Sequence, residues 1–299
     1  MGNFVRRAQS RVLGALTGAA DGRPDWVLRL EQGDDAGFFG PGSAAWAVHG
    51  GMPTFVAGIR ALLMQTLHPG AMAGVHDWSM YREDPLGRLS RTVRWLVTVT
   101  FSATEAAERE CGRIDRLHER VTGSYAAAHG GERRYAAQDP ELLSWVHIVF
   151  TDAFLSAHRL WGGPIPGGSD EYVREWAKAG ELLGVLDPPR SAAELREQIG
   201  AFRRAGTLRS DERVAEAIRF IREPGLRASM MPAYRVLFAG AVASLEPEYR
   251  RMLGLRRPWW PAITATRVTL WAIAMILRGA SSSEDAARAR IARLGLGPG

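Results

Sequence analysis

The sequence predicts an all-α protein: one large helical domain over residues 1–299, with 1–38 as an N-terminal tail and lead-in segment. Three observations carry this. Apolar residues recur at helical spacing in segment after segment, Pro, Gly and capping residues punctuate them, and no strand-rich segment stands out. A chain of 299 residues that is 46% hydrophobic can bury a sizeable core, and 23% charged residues is close to the globular norm.

Taken in order, Gly40-Pro41-Gly42 closes the lead-in segment and Ser43 can cap a short helix from Ala44. Pro53 suits the first turn of a helix through Phe55, Ile59, Leu62 and Leu63 to about Thr66. His68-Pro69-Gly70 breaks it, with His68 as a structural helix terminus. Asp84-Pro85 opens a helix to about Phe101, and a helix from Thr104 to Thr122 stops at Gly123. Asp139-Pro140-Glu141 offers a cap, a proline at the first position and an acid near the positive helix end. The helix that follows carries Leu142, Leu143, Val146, Ile148, Val149, Phe150, Phe154 and Leu155. Apolar nearly all round, it is expected at the centre of the core. After a Gly/Pro loop at 162–168, Ser169 caps a helix to Gly184. Further helices are expected from Ser191, Ser210, Pro232 and Pro261, and a last one after Ser281-Ser282-Ser283.

Composition narrows the function classes. The net charge is +6, but Lys178 is the only lysine and acidic residues interleave with the arginines. That pattern reads as compositional bias rather than a phosphate-binding surface, so nucleic acid is not an expected partner. Cys111 is the only cysteine, which excludes an intrachain disulfide, a zinc–thiolate cluster and covalent haem attachment. Met1-Gly2 lacks the Ser or Thr that myristoylation wants, Arg6 standing there, and the apolar run after Arg6-Arg7 is short and broken by Gly14 and Gly18. Ile263 to Leu277 contains Arg267 and is too short to span a bilayer, so no transmembrane span is expected and the cytoplasm is the expected location.

Three helices carry polar groups on otherwise apolar faces. Ala107, Cys111, Ile114, His118 and Val121 share one face, while Glu105, Glu108, Arg109, Arg113, Arg116, Glu119 and Arg120 hold the other. His118 therefore points inward beside Leu117, as a core histidine or as a metal or haem ligand. Arg88, Thr92, Trp95 and Val99 form a second stripe with Arg91 beside it, which is either a solvated edge or a guanidinium site for an anion. Leu143, His147, Thr151, Phe154 and His158 form a third, whose histidines are either satisfied core residues or part of a site. Together they meet the needs of a helical haem pocket, which are an imidazole, apolar walls and basic groups for the propionates.

The runs Gly40-Pro-Gly-Ser43-Ala-Ala-Trp46, Arg60-Ala-Leu-Leu-Met-Gln65-Thr-Leu-His68-Pro69 and Asp84-Pro-Leu-Gly-Arg88-Leu-Ser-Arg91-Thr92 resemble the MpaB/rubber-oxygenase family. So do Arg116-Leu-His118-Glu-Arg-Val121-Thr-Gly123, Tyr135-Ala-Ala-Gln-Asp139-Pro140 and Leu142-Leu-Ser-Trp145-Val-His147. The resemblance covers roughly Phe39 to Val185, and more loosely the rest. It implies an all-α fold with a globin-like core holding non-covalent haem b, and O₂-dependent cleavage of isoprenoid double bonds. By that likeness His118 matches the proximal iron ligand, Arg88 and Thr92 match a pocket arginine and threonine, and His147 matches a histidine near the site. Where rubber oxygenases carry an iron-ligating lysine, this sequence has Arg91, whose guanidinium has no lone pair to give. The far side of the iron is then expected open, water-bound or filled by His147. Met72 stands near the place of the family's pocket carboxylate.

The resemblance implies a haem b oxygenase using O₂. The departures at Arg91 and Met72 and the lack of an export signal point away from solid rubber to a small lipophilic, isoprenoid-like substrate, with Arg91 and Thr92 as the catalytic pair and room for a separate electron donor. A haem carrier or sensor is the second reading. A metal-dependent hydrolase is the third, on His76-Asp77 or on Asp115-x-x-His118, which lacks the second half of a di-iron motif.

Overall fold

The computed structural model describes residues 24–79, 84–126, 131–278 and 282–296, together with Gly14. Met1-Gly2, Arg6-Arg7 and, Gly14 apart, the apolar run after them lie outside the described residues.

Helix dominates, as the periodicity requires. A short α1 (Asp25–Leu28) and a 3-10 turn (Arg29–Glu31) lead to α2 (Ala44–His49), α3 (Thr54–Gln65), α4 (Pro69–Trp78), α5 (Pro85–Phe101) and α6 (Thr104–His118). Strands β1 (Thr122–Ala126) and β2 (Glu132–Ala136) follow, then α7 (Pro140–Trp161), α8 (Gly168–Leu182), α9 (Ala192–Arg204) and α10 (Glu212–Arg222). Helices α11 (Met231–Ser244), α12 (Pro247–Met252), α13 (Ala262–Leu277) and α14 (Ser283–Arg293) complete the described chain.

Capping chemistry sets most boundaries. Ser43 Oγ accepts from Trp46 N at 3.2 Å, and Ser191 Oγ from Glu194 N at 3.1 Å. Ser282 and Asp285 form a reciprocal capping box. Asp211, rather than Ser210, caps α10. His68 is an N-cap, its Nδ1 accepting from Gly70 N and Ala71 N, so Pro69-Gly70 starts a helix the periodicity does not predict. Helix α12 likewise has no apolar period to announce it. Two expected caps are absent. The Asp139 carboxylate turns back to Ala136 N at 2.9 Å, and α8 starts at Gly168 after a left-handed Gly167 (φ +67°) without help from Ser169.

One local prediction is overturned. The helix expected to reach Thr122 ends at His118, and Thr122–Ala126 pairs antiparallel with Glu132–Ala136, Gly123 opposite Tyr135 and Tyr125 opposite Arg133. Glycine opposite an aromatic explains the pairing. A Cβ on Gly123 would sit 2.8–3.0 Å from the Tyr135 ring and hydroxyl, so only glycine lets the ring cover the strand. Tyr125 and Tyr135 are buried against α4, and the Tyr135 hydroxyl donates to Asp77 at 3.2 Å.

Helix α7 is the centre, as its all-round apolar surface predicts, with α3, α8 and α9 packed on it. Helix α11 lies on α3, and α13 lies on α11. One contiguous cluster of buried side chains runs from Val27 to Ile291. Two buried arginines tie distant segments into it. Arg60 of α3 donates to Asp152 of α7 at 2.6 Å, to the Ser244 carbonyl at 2.6 Å and to Glu246 at 3.1 Å. Arg290 of α14 donates to the carbonyls of Leu30, Asp35 and Ala36.

Candidate functional site

Only Ser102 and Ala103 separate α5 from α6, so the two helices form an antiparallel hairpin. A buried carboxylate fixes its register: Glu110 accepts from Arg94 at 2.8 Å and from Arg113 at 2.6 Å. At the same level Cys111 lies beside Trp95, where burial pushes the thiol up to about 11 and the indole only partly offsets it. A thiol so placed is packing rather than a nucleophile. Continued at helical rise, this pairing returns the end of α6, with His118, to the level of Arg88.

His118 is half-buried, and its imidazole makes no hydrogen bond among the described residues. Burial draws its imidazole below the ordinary value, with Asp115 pulling weakly the other way, so the ring is neutral at pH 7 and keeps a lone pair. Leu117, expected inside with it, is exposed, because adjacent helical positions are rotated by about 100°. Arg88 is half-buried, whereas Arg91 and Thr92 are exposed. Arg91 lies 3.4 Å from the Asp84 carboxylate, and the Thr92 hydroxyl donates to the Arg88 carbonyl at 3.2 Å.

His147 is buried on α7, and burial alone pulls its imidazole to about 4. Its ring lies flat on the α8 backbone at Gly180, where a Cβ would come within 2.9–3.0 Å of it. Its Nε2 has no hydrogen-bond partner, nor does Trp176 Nε1, while Trp95 Nε1 faces the Cys111 thiol without closing a full hydrogen bond. One aromatic wall joins the two indoles. Trp95 lies 5.6 Å from Phe150 and 5.9 Å from Trp176, and Phe150 stacks on Phe154 at 4.3 Å. Each unpaired buried polar group costs about 1–3 kcal/mol, so His147 Nε2 and Trp176 Nε1 call for an explanation beyond packing.

The remaining candidates have structural roles. His158 donates from Nε2 to the Gly163 carbonyl at 3.1 Å, closing the loop after α7. Lys178 lies 3.9 Å from Glu181 and over the Phe38 ring, turned away from the histidines by its polar helix face. Met72 is buried in α4. His76 meets Asp77 at 3.0 Å, and among the described residues no group of three or more His, Cys, Asp or Glu is arranged to hold a metal ion. A cleft of about 270 Å³ between Pro140, Leu186 and Phe202 contains none of the predicted residues. Sequence periodicity alone does not reveal Trp176, Gly180 or His49, whose roles depend on α8 crossing α7 and α2. The Trp176–Gly180 spacing of four, a large residue and a missing side chain on one face, is the signal that could have flagged the first two.

Residues 46–278, which include every predicted site residue, match the family pattern described as ER-bound oxygenase mpaB/B'/rubber oxygenase, catalytic domain. No curated protein and no solved structure matches the chain.

Proposed function

Because the chain belongs to the mpaB/rubber oxygenase family, we propose that it is a haem b-dependent oxygenase acting with O₂ on a small lipophilic substrate. The observation that carries this reading is the pair of unpartnered buried nitrogens on His147 and Trp176, at the crossing of α7 and α8. The donor set also fits the cofactor: a neutral imidazole at His118, aromatic walls, and a half-buried guanidinium at Arg88. In this proposal His118 ligates the iron, Arg88 pairs with a propionate, and His147 borders the cofactor. Bound haem supplies the activation of O₂.

The chain's own residues supply position and polarity. The Trp95–Phe150–Phe154–Trp176 wall excludes water and holds an apolar substrate. Neutral His147 offers either a lone pair or an N–H at Nε2, according to its tautomer. Arg91 stays protonated and can only donate, and Thr92 can donate its hydroxyl in place of its bond to the Arg88 carbonyl. A globin-like arrangement around the cofactor, a cytoplasmic setting and a separate electron donor belong to the same proposal. No described helix is long and apolar enough to cross a membrane.

Absorption spectra of the wild type, His118→Ala and His147→Ala test the assignment. A Soret band that His118→Ala loses and His147→Ala keeps is expected, with O₂ uptake stimulated by an added lipophilic olefin. Loss of the band in His147→Ala alone reassigns the ligand, and pigment without O₂ uptake makes the protein a carrier or sensor. No band after reconstitution with haem overturns the proposal. Ferric electron paramagnetic resonance should be high-spin, and a low-spin signal abolished by His147→Ala would make that residue the sixth ligand.

A further inference from the structure

Helix α13 packs on α11 by one face only. Thr266 and Leu270 are buried there, the Thr266 hydroxyl donating to the Val236 carbonyl at 3.2 Å. Its first turns are tied to the end of α7, where Trp161 Nε1 donates to Ile263 O at 3.0 Å and Arg267 to Leu160 O at 2.6 Å. The opposite face is apolar and open. Val268, Trp271 and Met275 recur at steps of three and four, with Val268 60% and Trp271 65% exposed. Just ahead, in Arg256-Arg257-Pro258-Trp259-Trp260-Pro261, Trp259 is 95% exposed.

Charge is concentrated at the same place. Between Tyr249 and Ser283 the chain has six arginines (250, 251, 256, 257, 267 and 278) and no Asp or Glu. The whole chain has 38 basic and 32 acidic residues, so the rest of it carries 32 of each and is balanced. The entire excess of positive charge falls in the stretch of chain that carries the exposed apolar face.

We propose that α13 and the 256–261 turn form a monotopic docking surface for an anionic lipid bilayer. Indole rings favour the headgroup level, an apolar face can sink a few ångströms below it, and arginines meet lipid phosphates. The helix is too short to span, so it lies in the plane of the surface. A second copy is the poorer occupant, because a two-fold contact would set two like-charged arginine rims against each other. Docking does not depend on the oxygenase reading; only its use, access to a lipophilic substrate dissolved in the bilayer, rests on that reading.

Flotation of the full chain with vesicles tests this. Binding is expected to phosphatidylcholine mixed with phosphatidylglycerol, more weakly to phosphatidylcholine alone, and to fall as salt rises. Trp259→Ser/Trp271→Ser and Arg256→Gln/Arg257→Gln should each weaken binding by about tenfold or more, while exposed Leu186→Ser, outside this face, leaves it unchanged. Circular dichroism and haem content should not change in any of these variants, which separates this test from that of the cofactor. The proposal is overturned if the wild type does not float, if the tryptophan pair floats equally well, or if light scattering shows a dimer that the tryptophan variant splits.

Discussion

His49 is held neutral by its partners. Thr100 gives its hydroxyl proton to the Leu96 carbonyl at 2.7 Å, so it can only accept from His49 Nδ1 at 3.0 Å. That leaves Nε2 with the lone pair, which accepts from the Tyr172 hydroxyl at 2.9 Å. Burial, with a contribution from His158, pulls the imidazole to about 3. The unfolded chain, with an ordinary value of about 6.5, takes up a proton where the fold does not. The stabilisation is therefore complete above that value and is lost as pH falls towards 3. Urea midpoints should drop between neutral and acid pH, and His49→Gln should flatten the drop while lowering the neutral midpoint. His147 and His158 act in the same direction, so the difference between the two proteins is the readout, and identical slopes would mean that His49 titrates normally. For the cofactor, Arg88→Ala should retain less haem than Arg109→Ala, whose exposed guanidinium pairs only with Glu105 one turn away. Arg113, on the same outer face, is no neutral comparison, because it holds the buried Glu110.

Where α7 and α8 cross, a missing side chain sets the geometry. Gly180→Ala should cost about 1–3 kcal/mol by driving a Cβ into the His147 ring, outweighing the gain in helix propensity. Gly163→Ala, with nothing within 4 Å, should change little. Thermal melts of the two variants make the comparison, and equal midpoints would mean that the ring can move aside. That crossing also shows where sequence reading stops. His118 and His147 can be picked out because each lies on an amphipathic or all-apolar helix, where a polar residue breaks the pattern. Trp176 and Gly180 cannot be assigned to the same site, since periodicity says which face of α8 is buried and not what it is buried against. The antiparallel pair of β1 and β2 is missed for a different reason. Thr122-Gly123-Ser124-Tyr125-Ala126 has no alternating apolar run, and its pairing rests on a tyrosine lying over a glycine. Most helix starts were legible because proline and hydroxyl caps act locally, and α4 was hidden because a histidine did the capping.

Across the whole molecule, the two buried arginines join parts of the chain that lie far apart in sequence. Arg290→Ala should destabilise by about 3–5 kcal/mol, because it leaves the carbonyls of Leu30, Asp35 and Ala36 without their donor. A variant that melts like the wild type would show that water replaces the guanidinium without loss. The order in which a ribosome delivers the chain gives this contact a further meaning. Residues 30–36 are made early, yet their partner is made some 250 residues later, as the separation in the Arg290–Ala36 bond records. Until α14 has been synthesised, the segment is held to the body by Asp35, which accepts from Thr104 N at 2.9 Å, while the carbonyls of Leu30, Asp35 and Ala36 wait for their guanidinium. A segment made before the core helices thus receives its last partner only after them. In the finished protein the same bond makes both segments one cooperative unit, so their amides should exchange with solvent together and ahead of those of α7.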